Sequence, residues 1–303
     1  MTTFLRCPAC RGPLSQPALA SGDPTFHCGG CPRRFPVVNG LPRLVVGAGA
    51  GSDVSRSFAF QWRARRRGFF ERNTLYGLSA EAERRGFFDG LGIQPEAIAG
   101  KLILDAGCGD GFLLTLLADH PTQIVGMDLS AAAEVAAERC RALTNVTVLQ
   151  ADLFAAPFAP ASFDFVWCEG VLVHTEDPRK GFQALTELVK PGGRLYVWVY
   201  SAERLTIYQR VRDLLRVAHR LPHALLLFLS YVLAIPVTLA KRLRREPRSH
   251  ETYGSIAFAF FDNLSPRVQT RHTAAELREW FVTNGFADLK QSGFIGMSGT
   301  KAG

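Results

Sequence analysis

The sequence lacks the features that mark a secreted or disulfide-stabilised protein. No apolar segment follows the basic residue Arg6, so a secretory signal is not predicted and we expect a cytoplasmic chain. The chain has only seven cysteines, and four of them form two CxxC pairs. In a chain without a secretory signal, such pairs favour metal binding over disulfides. The length of 303 residues is sufficient for a full α/β core with one or two appendages.

Acidic residues are scarce in two separate parts of the chain. Residues 1–72 contain three acidic side chains and carry a net charge of +8, and residues 204–248 contain two and also carry +8. The region between them, residues 73–203, carries −8. The sequence therefore predicts an acidic core with two basic appendages, which either dock on that core or meet an anionic partner.

The glycine cluster in residues 101–112 (KLILDAGCGDGF) lacks what two common nucleotide-binding motifs require. A dinucleotide-binding turn needs glycine where this chain has Phe112, and there is no P-loop lysine. The cluster instead separates two apolar runs, which predicts a strand, a tight turn and a helix. Glycines in such a turn leave backbone N–H groups open to a carboxylate or phosphate.

Four more strands are predicted after this turn, over residues 123–127, 145–150, 162–168 and 194–199. Asp128 directly follows the first of them, where an acidic side chain can accept hydrogen bonds from ribose hydroxyls. Asp152 follows the next one. In this order, the strands and the motif Asp105-x-Gly-x-Gly-x-Gly resemble the class I S-adenosylmethionine-dependent methyltransferases.

The resemblance covers roughly residues 100–200 and the C-terminal tail, and it implies a fold and a cofactor site. The implied fold class is α/β, with a Rossmann-like seven-stranded methyltransferase sheet in residues 100–303. Asp105 and the glycines would hold the methionine end of S-adenosylmethionine, Asp128 the ribose and Asp152 the adenine. The predicted cofactor-binding residues are Asp105, Gly107, Cys108, Gly109, Gly111, Asp128, Leu129, Asp152, Leu153 and Glu169.

Two titratable residues follow the fourth predicted strand of this unit. The carboxyl ends of parallel strands face the ligand crevice in such folds, so Glu169 and His174 are the candidate catalytic residues. His174 could take a proton from an acceptor hydroxyl. The alternative is that His174 only orients its loop, as the resembling family often has histidine at this point.

The N-terminal residues 1–46 contain a metal-ligand pattern. Cys7, Cys10, Cys28 and Cys31 form two CxxC pairs 17 residues apart, which predicts a four-thiolate structural zinc site. The surrounding residues resemble a small zinc-ribbon family whose eukaryotic member is an activator subunit of several methyltransferases. Fused to an enzyme, such a ribbon either braces the catalytic domain or touches substrate, and the closed site favours bracing.

Residues 47–99 are predicted to form a linker and an N-terminal helical cap. Aromatic residues alternate with arginines over 57–70, which fits either nucleotide stacking or a helix packed on the core with its arginines in solvent. In the resembling group an aromatic segment here closes over the active site. That likeness would place Gln61 and Trp62 near substrate.

A helical insertion is predicted over residues 201–262, after the fifth strand. Its residues 221–240 lack Lys, Arg, Asp and Glu and are flanked by basic residues. The length suffices for a bilayer span. However, residues 273–303 look like the last elements of the same sheet, and a single crossing would place them on the opposite side of the membrane from the rest of that sheet. An interfacial element, a lid over an apolar substrate or a dimer interface remain. Arg267 is predicted to re-enter the core beside the pocket.

We therefore predict an S-adenosylmethionine-dependent methyltransferase with structural zinc that acts on a small-molecule or lipid-like metabolite. The insertion favours this substrate class. It also predicts either peripheral membrane contact through residues 221–240 or a homo-oligomer. The alternative is an RNA methyltransferase, because an N-terminal zinc module before this domain also resembles the ribosomal RNA guanine-N1 methyltransferases. Against RNA, the fourth strand lacks the Asn/Asp-Pro-Pro-aromatic motif. A non-catalytic partner-binding protein is the third reading.

Overall fold

The computed structural model describes residues 4–15, 24–47, 49–243 and 251–303. Over these residues the strands are β1 Leu14–Ser15, β2 Thr25–Cys28, β3 Arg34–Val38, β4 Leu41–Leu44, β5 Thr74–Leu75, β6 Leu78–Ser79, β7 Leu102–Ala106, β8 Gln123–Asp128, β9 Val146–Ala151, β10 Phe163–Glu169, β11 Val189–Trp198, β12 Phe286–Ser292 and β13 Gly296–Lys301. The α-helices are α1 Asp53–Arg66, α2 Ala80–Leu91, α3 Phe112–Leu117, α4 Ala132–Arg139, α5 Pro178–Leu188, α6 Ile207–Leu214, α7 His223–Leu243, α8 Tyr253–Leu264 and α9 Ala274–Thr283.

The strands predicted around the glycine turn form the centre of one sheet. Strands β9, β8, β7, β10 and β11 are neighbours in that order and run parallel. Strand β13 then pairs antiparallel with β11, and β12 pairs antiparallel with β13. This sheet confirms the predicted α/β fold and the return of the C-terminal residues to the same sheet.

The sheet is larger than the seven strands predicted from the sequence. Strand β4 of the N-terminal module pairs in parallel with β9, and β1 to β3 continue beyond it, so the sheet has eleven strands over the described residues. The physical reason is that β9 would otherwise expose unpaired backbone groups at an edge. The N-terminal module therefore extends the central sheet of the protein.

Hydrophobic side chains cover both faces of the sheet. One core cluster contains residues of α5 and α9, such as Phe182 and Trp280, and the other contains residues of α2 and α3, such as Phe87 and Leu114. Local signals set the helix ends: Ser79 Oγ accepts from Ala82 N at 3.2 Å at the start of α2. Gly92 ends that helix with a φ of 70°. Helix α2 thus lies within residues 47–99, for which a linker and a helical cap are predicted.

The described residues between β11 and α9 include three α-helices, α6, α7 and α8, in agreement with the predicted helical insertion. Helices α6, α7 and α8 form a third cluster with α1, in which Trp62, Phe258 and Phe261 are buried. The predicted linker before α1 contains a short 3₁₀ turn at Gly49–Gly51 and the N-cap residue Ser52. The insertion and the helical cap therefore share one hydrophobic cluster next to the sheet.

Candidate active site

A cavity of about 1040 Å³ lies at the carboxyl edge of the parallel strands. Its wall includes a residue at or just after the end of β7, β8, β9 and β10, namely Asp105, Asp128, Asp152 and Glu169. Residues of α1, α6 and α8 form other parts of the wall. Of the residues predicted from the sequence, the cavity is lined by Trp62, Asp105, Gly107, Cys108, Gly109, Asp128, Leu129, Asp152, Leu153, Glu169 and His174.

The glycine turn is packed more closely than the sequence suggests. A Cβ atom on Gly109, which has a φ of +53°, would lie 2.7 Å from the indole ring of Trp62. Gly111, which was predicted to contact the cofactor, lies outside the cavity wall. A Cβ there would lie 3.1 Å from Ala136 of α4, so this glycine serves the turn and the packing of α4.

Asp128 is connected to the glycine turn by a direct hydrogen bond. Gly109 N donates to Asp128 Oδ2 at 3.0 Å, while the amide and the hydroxyl of Ser130 donate to Oδ1 at 2.8 and 2.7 Å. Burial raises the pKa of Asp128, and these hydrogen bonds act in the opposite direction. The carboxylate thus holds the turn in place and also lines the cavity.

Three carboxyl groups of the cavity wall form an acidic cluster. Burial, followed by the nearby Glu169 and Asp128, raises the pKa of Asp105 to about 8. Burial also raises the pKa of Glu83 to about 8, with repulsion from Glu169 as the next cause. Glu169 borders the cavity, and desolvation by the surrounding protein raises the pKa of its carboxyl group to about 7. A cationic ligand in the cavity would favour the ionised forms of these carboxyl groups.

His174 is held in one tautomer. Its Nδ1 lies 2.9 Å from the carbonyl oxygen of Val268, and a carbonyl can only accept, so Nδ1 carries the hydrogen. Burial lowers the pKa of His174, which keeps the ring neutral near pH 7. The Nε2 lone pair is then free to accept a proton. Phe58 and Tyr200 pack against the ring, with centroid distances of 4.9 and 5.6 Å.

Two residues predicted as substrate contacts do not line the cavity. Gln61 is fully buried, and its Nε2 donates to Asp262 Oδ1 at 2.8 Å. Arg267 is exposed, and its carbonyl oxygen accepts a hydrogen bond from Arg212 at 3.2 Å. Trp62, the third predicted substrate residue, does line the cavity.

The residues that sequence reasoning missed surround Asp262 of α8. This carboxylate is 2% exposed and accepts hydrogen bonds from the phenols of Tyr76 and Tyr200 at 2.9 and 2.8 Å, in addition to Gln61. Burial and the proximity of Asp262 raise the pKa of both tyrosines, so they remain protonated donors. Because Tyr76, Tyr200 and Asp262 are far apart in the sequence, no local sequence pattern predicts this network.

A buried ion pair connects α1 to the glycine turn. The side chains of Arg65 and Asp110 are both 1% exposed and form a salt bridge, and Arg139 contacts the same carboxylate at 2.7 Å. Arg65 also donates to the carbonyl oxygens of residues 71, 72 and 74. The prediction that the arginines of this helix are solvated is wrong for Arg65. Its position seven residues after Phe58, on the aromatic face, is the signal that could have identified it.

The four predicted zinc ligands are brought together. The Sγ atoms of Cys7, Cys10, Cys28 and Cys31 all lie within 4.8 Å of one another. The Cys7–Cys31 and Cys10–Cys28 distances are 3.8 and 3.4 Å. A tetrahedron with Zn–S bonds of about 2.3 Å has edges of about 3.8 Å, so the arrangement fits zinc.

The N-terminal module is fixed to the rest of the protein. Arg11 donates from both Nη atoms to the carbonyl oxygens of Ala156 and Phe158, at 2.6 and 2.7 Å. Leu5 and Phe35 are buried in the same cluster as the sheet residues. Within the described ranges 4–15 and 24–47, no residue of this module lines the cavity. These contacts favour bracing over substrate contact.

Parts of the chain are similar to known protein families and to known proteins. Residues 104–197 match a family described as "Methyltransferase domain", and residues 1–40 match one described as "Trm112p-like protein". A ubiquinone biosynthesis O-methyltransferase from Paraburkholderia phymatum is 39% identical over 106 residues, covering 34% of this chain and 44% of that protein. An uncharacterized protein from Synechococcus sp. is 39% identical over 105 residues, covering 33% of this chain and 25% of its own length. The chain thus spans less than half the length of these relatives.

Solved structures resemble the chain only weakly. A Haemonchus contortus phospholethanolamine N-methyltransferase 2 has a TM-score of 0.49 and 20% identity, over 79% of this chain and 43% of that one. A complex that contains the Haloferax volcanii Trm112 methyltransferase activator has a TM-score of 0.48 and 18% identity, over 82% and 98%. The family matches confirm the resemblance predicted from the sequence: the chain contains a methyltransferase domain at residues 104–197, preceded by a Trm112p-like domain at residues 1–40.

Proposed function

We propose that the chain is an S-adenosylmethionine-dependent methyltransferase that acts on a small-molecule or lipid-like metabolite. The observation that carries the proposal is the single cavity lined by the glycine turn and by Asp105, Asp128 and Asp152. These residues come from three adjacent strands and match the cofactor motif predicted from the sequence. The relatives named as O-methyltransferases support the same reaction class.

The residues present fit this cofactor. S-adenosylmethionine supplies, when bound, an activated methyl group on a sulfonium sulfur. If ionised, the carboxyl groups of Asp105, Glu83 and Glu169 would repel one another, and a positively charged ligand would favour their ionised forms. Asp128 would accept from the ribose hydroxyls and Asp152 would face the adenine. The wall formed by α1, α6 and α8 would hold the acceptor and exclude water.

Two residues compete for the role of general base. His174 has a neutral ring with an unprotonated Nε2, and Glu169 has a pKa raised to about 7. Both line the cavity. Either residue would accept the proton of an acceptor hydroxyl held in the cavity. We favour His174, because it needs no deprotonation at neutral pH.

The ion pairs of α1 count against the RNA alternative. RNA binding would need free arginines in residues 63–67. Instead, Arg63 contacts Glu134 at 2.8 Å, Arg65 pairs with Asp110, and Arg66 pairs with Glu138. Only Arg67 of this run forms no ion pair with a described residue. The surface of the cavity is mostly apolar, which fits a metabolite better than a polyanion. Zinc in the four-cysteine centre would be structural, and we expect cytoplasmic enzyme.

The experiment that tests the proposal combines binding with product analysis. Calorimetry should give a weaker S-adenosylmethionine affinity for Asp128→Ala, by about 1.5–3 kcal/mol, because both ribose hydrogen bonds are lost. Asp119→Ala is the matched control, because Asp119 is exposed and lies outside the cavity wall. Unchanged affinity in Asp128→Ala would contradict the proposal.

Product analysis identifies the acceptor class. Labelled S-adenosylmethionine is offered with cell extract divided into RNA and lipid or metabolite fractions, and products are examined by mass spectrometry. We expect label in the lipid or metabolite fraction. Label in RNA alone would establish the alternative, and binding without any transfer would favour a non-catalytic role.

A further inference from the structure

One side of α7 exposes a continuous row of apolar side chains. We call these residues the α7 stripe: Leu225, Phe228, Val232, Ile235, Leu239 and Leu243. They recur every three or four residues, as one face of a helix requires, and they are 43% to 84% exposed. Single exposed apolar residues are ordinary on protein surfaces, whereas a contiguous apolar row marks an interaction site.

The opposite side of α7 fixes the orientation of the stripe. Leu226, Ser230 and Ala234 are buried against the protein. The phenol of Tyr231 donates to the carbonyl oxygen of Phe69, and that of Tyr253 donates to the Tyr231 carbonyl oxygen at 2.7 Å. Because this side is committed to internal contacts, α7 cannot rotate to bury the stripe.

Basic residues flank the stripe at both ends. Arg216 and Arg220 precede α7, Lys241 and Arg242 end it, and there is no Asp or Glu anywhere in residues 214–243. Arg216, Arg220 and Arg242 are exposed. Arg244 and Arg245, which the sequence also places in this basic flank, lie outside the described residues. An apolar row between cationic ends is complementary to a surface with anionic headgroups above a hydrocarbon layer.

We propose that the α7 stripe docks the protein on the surface of an anionic phospholipid bilayer. The helix would lie in the plane of the interface, with the stripe in the acyl boundary and the arginines at the headgroups. Among the described residues, α7 is the one helix that is long and apolar enough to span a membrane. Spanning is excluded because β11 before it and β13 after it are neighbours in one sheet.

The charges also argue against a second copy of this chain as the occupant. Both ends of α7 are positive, so two copies packed through their stripes would bring like charges together in either a parallel or an antiparallel arrangement. An anionic bilayer satisfies the apolar row and the basic flanks at the same time. A bilayer is therefore the occupant that the surface fits.

The docking surface is connected to the cavity through neighbouring helices. Tyr208 and Gln209 of α6 and Ser255 and Ala259 of α8 line the cavity, and Leu226 and Phe260 of α7 and α8 belong to the same buried cluster. Docking would thus place the helices that line the acceptor side of the cavity next to a lipid phase. This consequence rests on the proposed function, whereas the docking itself does not.

Vesicle co-sedimentation of the full chain tests the proposal. The probe is a phosphatidylcholine vesicle with or without phosphatidylglycerol. We expect the wild type to bind the anionic vesicles, and Phe228→Ser/Ile235→Ser to partition roughly 100-fold less, because two apolar side chains leave the interface. The variant Arg220→Gln/Arg242→Gln should bind the anionic vesicles more weakly than the wild type, and its binding should depend less on salt concentration. Val282→Ser is the control, because Val282 is 56% exposed on a different helix, α9.

Three results would overturn the proposal. They are wild type that does not bind anionic vesicles, equal binding by the wild type and the stripe variant, and a wild-type dimer in light scattering that the stripe variant converts to monomer. The last would assign the stripe to a second copy. S-adenosylmethionine affinity, measured on the same preparations, separates the two proposals: vesicle binding without cofactor binding removes only the proposed function.

Discussion

The two basic appendages attach to the acidic core in opposite ways. The N-terminal one is integrated: β4 joins the central sheet, Arg11 is bound to backbone carbonyl groups, and Arg65 is buried against Asp110. The insertion instead contributes one buried side of α7 and leaves an apolar stripe and several arginines on the surface. The two regions carry the same net charge of +8.

This difference shows that net charge alone does not identify a partner. In the N-terminal region, arginines such as Arg11, Arg43 and Arg63 are bound by internal carboxylates and carbonyl oxygens. In the insertion, Arg220 and Arg242 form no ion pair with another described residue. A basic segment becomes an interaction surface only where its charges lack partners within the fold and lie beside exposed apolar residues.

Among the changes that test this comparison, loss of the metal should have the largest effect on stability. Cys28→Ser should remove zinc and destabilise the whole protein by several kcal/mol, since structural zinc binding contributes on the order of 10 kcal/mol to folding. The sequence alone suggests that the core would keep its own unfolding transition, but the shared sheet and shared core predict a lowered main transition. Elemental analysis and calorimetry measure both effects. His27→Ala, an exposed neighbour, is the control and should retain zinc.

Removal of the buried arginine should have the next largest effect. Arg65→Met leaves the Asp110 carboxylate buried with Arg139 as its remaining cationic partner, and we expect a loss of about 3–5 kcal/mol in the free energy of unfolding. Arg66→Met, which breaks the half-exposed pair with Glu138, should cost less than about 1 kcal/mol. Urea unfolding measures both. Equal costs would mean that the charge of this appendage is not used internally.

The two sides of α7 should respond differently to truncation. Leu226→Ala removes a fully buried side chain and should cost about 2–5 kcal/mol. Phe228→Ser changes a residue that is 63% exposed and should alter stability by less than about 0.5 kcal/mol. Thermal unfolding without lipid measures this. A large loss for Phe228→Ser would mean that the stripe is covered within the protein and would remove the contrast between the appendages.

The smallest expected effect concerns the pH dependence of kcat/KM, which two residues of the acidic core could control. Since kcat/KM reports the free enzyme, dependence on deprotonated Glu169 would give an acidic limb near pH 7, because its pKa is raised to about 7. Dependence on neutral His174 would place that limb below pH 6.5, because burial lowers its pKa. We expect the second result, with Glu169→Gln leaving the limb in place. A limb that disappears in Glu169→Gln and persists in His174→Asn would reverse the assignment.

The same shifts predict how stability without cofactor changes with pH. The folded state keeps Asp105 and Glu83 protonated up to about pH 8, whereas the unfolded chain releases these protons near pH 4. The folded state therefore binds more protons in that window, and its stability should fall as the pH rises from about 4 to 8. Bound cation would reduce this slope, which urea titrations at several pH values can measure.

The sequence by itself determined the elements that local pattern controls. The apolar run and glycines of residues 101–112 predicted β7, the turn and α3. The acids after the next two strands line the same cavity as this turn, because parallel strands end at the same edge. The CxxC spacing likewise predicted the four-thiolate cluster. These features depend on residues that are close in sequence or on a rule that applies to every such sheet.

Only the tertiary structure decided the contacts between distant segments. It assigned Arg65 to Asp110, brought Tyr76 and Tyr200 to Asp262, and removed Gln61 and Arg267 from the cavity wall. It also extended the predicted seven-stranded sheet through β4 and turned one side of α7 outward. Each of these outcomes depends on which side of a helix or which edge of a strand meets another segment. Periodicity within one segment indicates that such a side or edge exists, but it does not identify the partner, because the partner is selected by packing across the whole fold.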